Sequence, residues 1–161
     1  MKFTVPDICD EFYEKIQIGD SFYNSYGGIE KFYGEIQTVQ CEHSNSVVKD
    51  IVKNNGKGKV LFISHTGKDL CSMVGDQIAQ KALDNKWNGI ITNGCIRDVE
   101  VIKNIDIGLL AKNSYPMKTD KSKGIGEKNI SIKLGSVFIN TGDWIYVDSN
   151  GWIISKRKLK L

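Results

Sequence analysis

The run KVLFIS at residues 59–64 is apolar over nearly its whole length, and so is the core of NGIITN at 88–93. An alternating strand can leave one face in water, whereas a continuous apolar strand must be covered on both. Between the two runs lies GDQIAQKALDNK, 75–86. There Ile78, Ala79, Ala82 and Leu83 share one helical face, and Asp76 stands where an N-cap belongs. Strand, helix and strand in that order predict two parallel strands joined by a right-handed crossover. Both strands then end on the same sheet edge, the edge at which α/β sheets bind ligands.

The rest of the chain extends this core. GEIQTVQC, 34–41, alternates as a half-buried strand does. In SNSVVKDIVKNNGKG the residues Val47, Val48, Ile51 and Val52 mark a helix, with Ser44 or Asn45 to start it and Gly56 to stop it. IGLLAK, 107–112, adds a strand. Beyond residue 113 a polar loop, NSYPMKTDKSKGIGEKN, leads into ISIKL, SVFIN, DWIYVD and GWIIS, short runs separated by turn residues and expected to be antiparallel. The expectation is one α/β domain over 1–161, a β-α-β core joined to a β-rich C-terminal part. Tyr13, Tyr23, Tyr26, Phe32 and Tyr33 are expected in a core or at a subunit interface.

Charge and cysteine usage narrow the function. The net charge of +3 is spread over scattered lysines, so no direct nucleic-acid binding is expected, and the tail KRKLKL reads as solvated. No apolar run approaches the roughly 20 residues that span a bilayer, so no membrane role is expected. The N-terminal stretch is too charged for a signal peptide. Cys9, Cys41, Cys71 and Cys95 form no C-x-x-C pair, which suits a cytoplasmic protein. With only His43 and His65 available, a metal would be held by oxygen. GKGK at 56–59 and GIGE at 124–127 read as turns, since neither has phosphate-loop spacing.

The chemistry converges after the two parallel strands. Only Arg97 and Arg157 are arginine, and Arg97 is followed directly by Asp98. Twenty residues separate Asp76 from Arg97, yet the shared sheet edge lets them face each other. The helix start would present N–H groups at Gly75, Asp76, Gln77 and Ile78, a binder of carboxylate or phosphate. A guanidinium beside it can fork onto a carboxylate or enolate, and Asp76 and Asp98 are suitable oxygen ligands for Mg²⁺ or Mn²⁺. That set suits a small α-keto acid. Asp76 capping its helix and pairing with Arg97 would account for the same spacing, and both readings stand at this point.

The residues also carry a resemblance. DICDEF, YGGIEKFYGEIQTVQC, NNGKGKVLFIS, GDQIAQKALDNKWNGIITNGCIRDVE, IDIGLLAKNSYP, KGIGE and GDWIYVDSNGWIIS together resemble the RraA-like family: the regulator of ribonuclease E activity A and its relatives, the 4-hydroxy-4-methyl-2-oxoglutarate aldolases. The resemblance implies a β/β/α sandwich of the swivelling-domain type, assembled as a homotrimer or dimer of trimers. It implies a lyase that uses Mg²⁺ or Mn²⁺ and also decarboxylates oxaloacetate. By resemblance, the amides of Gly75, Asp76, Gln77 and Ile78 hold the pyruvyl carboxylate and Arg97 binds the substrate oxygens. Asp98 ligates the metal and Asp76 supports its water shell. The loop SHTGKD would bring His65 and Lys68 to the entrance. The alternative implied is a regulator without catalysis that binds a ribonuclease E-type protein. Asp98 favours the enzyme, and a charge of +3 suits the regulator poorly.

Overall fold

The computed structural model describes residues 3–161. Its centre is a twisted sheet in which β3 (Phe32–Cys41), β4 (Lys59–His65), β6 (Gly89–Ile96) and β7 (Gly108–Ser114) run parallel side by side. The expected β-α-β unit is β4, α3 (Asp76–Asp84) and β6, with Leu61 opposite Ile90 and Phe62 opposite Ile91. On the other side of β3 lie β11 (Trp144–Asp148) and β12 (Gly151–Ser155), an antiparallel hairpin, with β1 (Ile16–Ile18) on its edge. β2 (Asn24–Ser25) closes the far edge on β7, and β8 (Glu127–Lys128) lies against β3.

Alternation along the strands divides the core into layers. Leu61, Ile63, Ile90 and Leu109 face the helices and pack on Val48 and Ile51 of α2 (Ser46–Ile51) and on Ile78, Ala79 and Ala82 of α3. Ile36, Phe62, Ile91, Ile145 and Ile154 face the other way, onto Ile132, Val137 and Ile139 of the hairpin β9 (Ile132–Leu134) and β10 (Val137–Ile139). Hairpin, sheet and helices are the three layers of a β/β/α sandwich. Helix α1 (Val5–Phe12), which the sequence reading did not anticipate, starts at a Thr4 cap and packs Val5 and Ile8 on Tyr146 and Ile153.

Several boundaries move for physical reasons. α2 ends at Ile51, earlier than Gly56. Gly56 instead lies under the Trp87 ring, where an added Cβ would come within 2.2 Å of it. The Ser44 hydroxyl accepts the Ser46 N–H at 3.3 Å, while the Asn45 side chain is diverted to other partners. Residues 72–74 form β5 (Ser72–Val74), a three-residue strand that prolongs the sheet beside the end of β6. Among the aromatics, Phe32 is core, Tyr33 stacks on Tyr146, and Tyr23 packs edge-on against Trp152, but Tyr13 is exposed.

Candidate active site

β4 and β6 pair from Val60–Gly89 to Ile63–Thr92 and then part, because β6 shifts register and takes β5 as its neighbour. Asn93 spans the fork: its Oδ1 accepts the His65 N–H at 2.6 Å and its Nδ2 donates to the His65 carbonyl at 3.2 Å. Gly94 follows because a Cβ there would meet His65 Cβ at 2.9 Å. β6 therefore continues to Ile96, three residues past its expected end. The Arg97 N–H donates to the Val74 carbonyl at 3.0 Å, which fixes Arg97 against the last residue of β5 and next to the start of α3.

Asp98 then turns the chain. It adopts φ 61°, ψ 35°, and its carbonyl accepts the N–H groups of Val101 and Ile102 in the short helix α4 (Val99–Ile102), each at 3.0 Å. Aspartate and asparagine enter this left-handed region more readily than most side chains. The turn carries the Asp98 carboxylate back over Gly75. A Cβ on Gly75 would lie 2.7 Å from Asp98 Oδ2 and 3.6 Å from Arg97 Nε. Gly75 has φ −127°, open to any residue, so the requirement there is for space.

The helix start differs from the expectation in detail. Gly75 is the N-cap and Asp76 the first helical residue. The Gln77 N–H donates to Asp76 Oδ1 at 2.7 Å, and the Asp76 N–H points to Asp98 Oδ2 at 3.5 Å. Ile78 does not offer a free amide: its N–H donates to the Gly75 carbonyl at 3.1 Å, and its side chain is buried in the core. Two carboxylates of the chain itself thus stand at the positive end of α3, where an incoming anion would sit. Arg97 does not pair with Asp76. Its Nε lies 3.4 Å from Asp98 Oδ2, with side-chain exposures of 41% and 36%, so the pair is open to solvent and the terminal guanidinium nitrogens are not part of this contact.

Gly75, Asp76, Gln77, Ile78, Arg97 and Asp98 all line one cavity of about 640 Å³. His65 and Lys68 do not line it; the His65 ring lies 3.7 Å from the Cys71 sulfur. The rest of the wall was not expected from the sequence: Asn45 and Lys49 from the α2 region, Ser72 from β5, and Met117–Ser122 from the loop after β7. That loop is pinned. The Ser72 N–H donates to the Met117 carbonyl at 2.8 Å, the Ser72 hydroxyl donates to the Tyr115 carbonyl, and buried Thr119 donates to Asn45 Oδ1 at 3.0 Å. Asn45 in turn donates to the Met73 carbonyl at 2.9 Å. The loop leaves β7, a third parallel strand ending on the same edge, and this topology was the available signal.

No group of three histidine, cysteine or acidic side chains is close enough to enclose an ion among the described residues. The cavity does offer the half-exposed carboxylate of Asp98 with Asp76 nearby. One or two carboxylates with several retained waters are what Mg²⁺ accepts, so the donors fit a hard cation of that kind.

Fold and cavity define a class, an α/β protein with an acid–arginine site at the carboxyl edge of a parallel sheet. The chain belongs to the RraA-like family, described as Aldolase/RraA, whose profile matches residues 5–154. A protein of Azotobacter vinelandii, provisionally named 4-hydroxy-4-methyl-2-oxoglutarate aldolase, is 42% identical over 161 residues, covering 100% of this chain and 99% of the relative. A Marinomonas protein of the same provisional name is also 42% identical, with the same coverage. Among solved structures, the RNA-processing inhibitor RraA of Thermus thermophilus superposes with a TM-score of 0.93 at 27% identity, covering 99% of this chain and 96% of that one. A Geobacillus kaustophilus protein described as an S-adenosylmethionine:2-dimethylmenaquinone methyltransferase matches with a TM-score of 0.93 at 30% identity, over 98% and 97% of the two chains.

Proposed function

We propose that the protein is a cytoplasmic, divalent-metal-dependent lyase that cleaves pyruvate-derived keto acids, 4-hydroxy-4-methyl-2-oxoglutarate and oxaloacetate among them. The observation that carries this reading is the convergence of the α3 start, Arg97 and Asp98 on one cavity wall. The keto-acid carboxylate binds at the amides of Gly75, Asp76 and Gln77, displacing both the Asp98 oxygen that stands 3.5 Å from the Asp76 N–H and the Asp76 oxygen that accepts from the Gln77 N–H. Asp98 would hold Mg²⁺ or Mn²⁺, with Asp76 supporting its water shell. The ion's contribution is Lewis-acid polarisation of the ketone.

Retro-aldol cleavage breaks the C3–C4 bond while the 4-hydroxyl proton leaves to a water held by Asp76. The electron pair moves onto the pyruvyl half as an enolate, and protonation at C3 gives the second pyruvate. Arg97 donates its terminal N–H groups to the oxygen on which charge grows. Oxaloacetate loses CO₂ and leaves the same enolate. The family's trimer is proposed here too, since Tyr13 and Phe22 are left exposed, at 74% and 88%. Release of pyruvate from both substrates that is abolished by EDTA and restored by Mn²⁺ supports this reading. Turnover indifferent to EDTA removes the metal, and absence of turnover with added metal removes the lyase. The likeness to the Thermus inhibitor favours one rival, a regulator of a ribonuclease E-type enzyme. Inhibition of such a ribonuclease by a preparation without lyase activity would establish it.

A further inference from the structure

Cys71 and His65 stand together outside the cavity, and the lyase reading uses neither. His65 ends β4, and its Nε2 lies 3.7 Å from the sulfur of Cys71, the residue before β5. Cys41, the register partner of His65 in β3, and Cys95, opposite Ser72 in β6, flank the pair on neighbouring strands. Asn93 fixes the His65 backbone, and the imidazole bonds to the Glu42 backbone. Burial holds this ring below its ordinary value, so at neutral pH it is uncharged, with one nitrogen free to take a proton. Burial, then the Cys95 sulfur and the Asp69 carboxylate, push the Cys71 thiol up. A thiol that holds its proton becomes a nucleophile when a base beside it takes that proton, and His65 is within reach. Cys9, less buried than Cys71, has Asp10 and Asp148 near it but no imidazole in hydrogen-bond contact among the described residues.

The cover over the pair is thin. The chain passes the imidazole at Gly67, where an added Cβ would lie 2.8 Å from Nε2, and Thr66, Lys68, Asp69 and Leu70 are exposed. The Thr66 N–H donates to the Cys41 carbonyl at 2.9 Å; from there to Ser72 no backbone hydrogen bond holds the loop among the described residues. A segment so exposed and so sparsely bonded opens at little cost. What lies beneath it matters to the cavity. The Ser72 N–H and hydroxyl hold the loop after β7 through Met117 and Tyr115, the Met73 carbonyl accepts from Asn45, and the Val74 carbonyl accepts the Arg97 N–H. Both walls of the cavity thus hang on the three residues that follow Cys71. Cys71 is only 6% exposed, so an oxygen added to its sulfur has to displace its neighbours.

We propose that Cys71 is a peroxide-sensitive modification site with His65 as its base, and that oxidation there disables the cavity by displacing β5. His65 takes the thiol proton as the sulfur attacks one oxygen of hydrogen peroxide. The O–O bond breaks, and the departing hydroxide takes that proton and leaves as water. The sulfur, oxidised by two electrons, becomes a sulfenic acid; a neighbouring thiol can condense with it to a disulfide and release a second water. Two equivalents of an added thiol reduce either product. Loss of turnover rests on the lyase reading, whereas the chemistry at Cys71 does not.

The test treats the full chain, with Mg²⁺ present, with hydrogen peroxide and dimedone, and maps the four cysteines by mass spectrometry. Cys71 is expected to be oxidised at least about tenfold faster than Cys9, and His65→Asn should remove that lead, as loss of a general base does. A dimedone adduct at Cys71 and a disulfide formed from it both support the proposal. Oxidation should lower oxalate affinity and oxaloacetate turnover together, and dithiothreitol should restore both. Cys71→Ser should keep both and resist peroxide; if it folds poorly, the wild-type map and His65→Asn decide. Oxidation of Cys9 ahead of Cys71, a lead that survives His65→Asn, or an oxidised Cys71 with unchanged oxalate affinity overturns the proposal. Oxidation of Cys71 with loss of oxalate affinity in a preparation without turnover would remove the lyase reading and leave the switch. Turnover indifferent to peroxide, with Cys71 unmodified, would do the reverse.

Discussion

Arg97 and Asp98 are neighbours in sequence and partners in space, so a structural role and a chemical role predict different failures. Their ion pair is more than a third exposed, and such pairs contribute about 0–1 kcal/mol. Asp98→Asn keeps a side chain that tolerates φ 61°, so melting should change little while metal affinity falls and excess Mn²⁺ recovers part of the activity. Arg97→Lys keeps charge and loses the planar fork. Turnover should drop by roughly 10²–10³-fold, as for removal of one preorganised donor to a developing anion, with metal affinity retained. Equal melting losses with intact oxaloacetate decarboxylation would reduce the pair to a turn. At Gly75 the 2.7 Å approach of Asp98 Oδ2 forbids even a methyl group without displacing that carboxylate. Gly75→Ala and Gly75→Val should weaken oxalate binding progressively while the protein stays folded. Unchanged oxalate affinity in both would exclude the helix start as the anion site.

The elements meet at one fork. β4 and β6 separate at Asn93, and its two hydrogen bonds to the His65 backbone are what close the gap. Asn93→Ala leaves the His65 N–H and carbonyl without these partners, and urea unfolding should show a loss of about 1–3 kcal/mol. Arg97 stands four residues beyond Asn93, so Asn93→Ala should also reduce turnover more than keto-acid binding. A stability loss with undiminished turnover would show that β5 alone positions the arginine.

The whole molecule should carry the signature of a half-buried imidazole. Burial holds His65 below its ordinary value of 6.5, outweighing a backbone hydrogen bond that acts the other way. The folded protein thus binds this proton less readily than the unfolded chain. The associated stability is present above about pH 6.5 and is lost as pH falls below that value through the lower folded pKa. Urea midpoints between pH 7.5 and 5 should decline, and His65→Asn should flatten the decline; an identical slope in the variant would assign it elsewhere. Assembly is testable at the same scale. Sedimentation should find trimers or hexamers at micromolar concentration, and a stable monomer would remove the proposed assembly.

What the amino-acid sequence determined by itself was local in period. Continuous apolar runs at 59–64 and 88–93 around an amphipathic helix specify a parallel β-α-β unit, because no other pairing covers both faces of both strands. That unit alone brings Gly75, Asp76, Arg97 and Asp98 to one edge, so this part of the cavity could be read before any coordinates. Helix α1 and strand β5 escaped because their burial comes from partners distant in sequence: Tyr146 and Ile153 for one, Cys95 and Ile96 for the other. The bonded amide of Ile78 follows from Gly75 standing as N-cap, and the choice of Asp98 over Asp76 as partner of Arg97 depends on a left-handed turn at residue 98, which no periodicity encodes. The lysines of the cavity lay furthest from view. Lys49, Lys118 and Lys121 look like solvated charges along the chain, and only the ends of the parallel strands β3 and β7, with the loop after β7 tied down through Asn45 and Thr119, bring them around the same space. Side-chain type and spacing select the elements; charge meets charge across a cavity only after packing has set where each element ends.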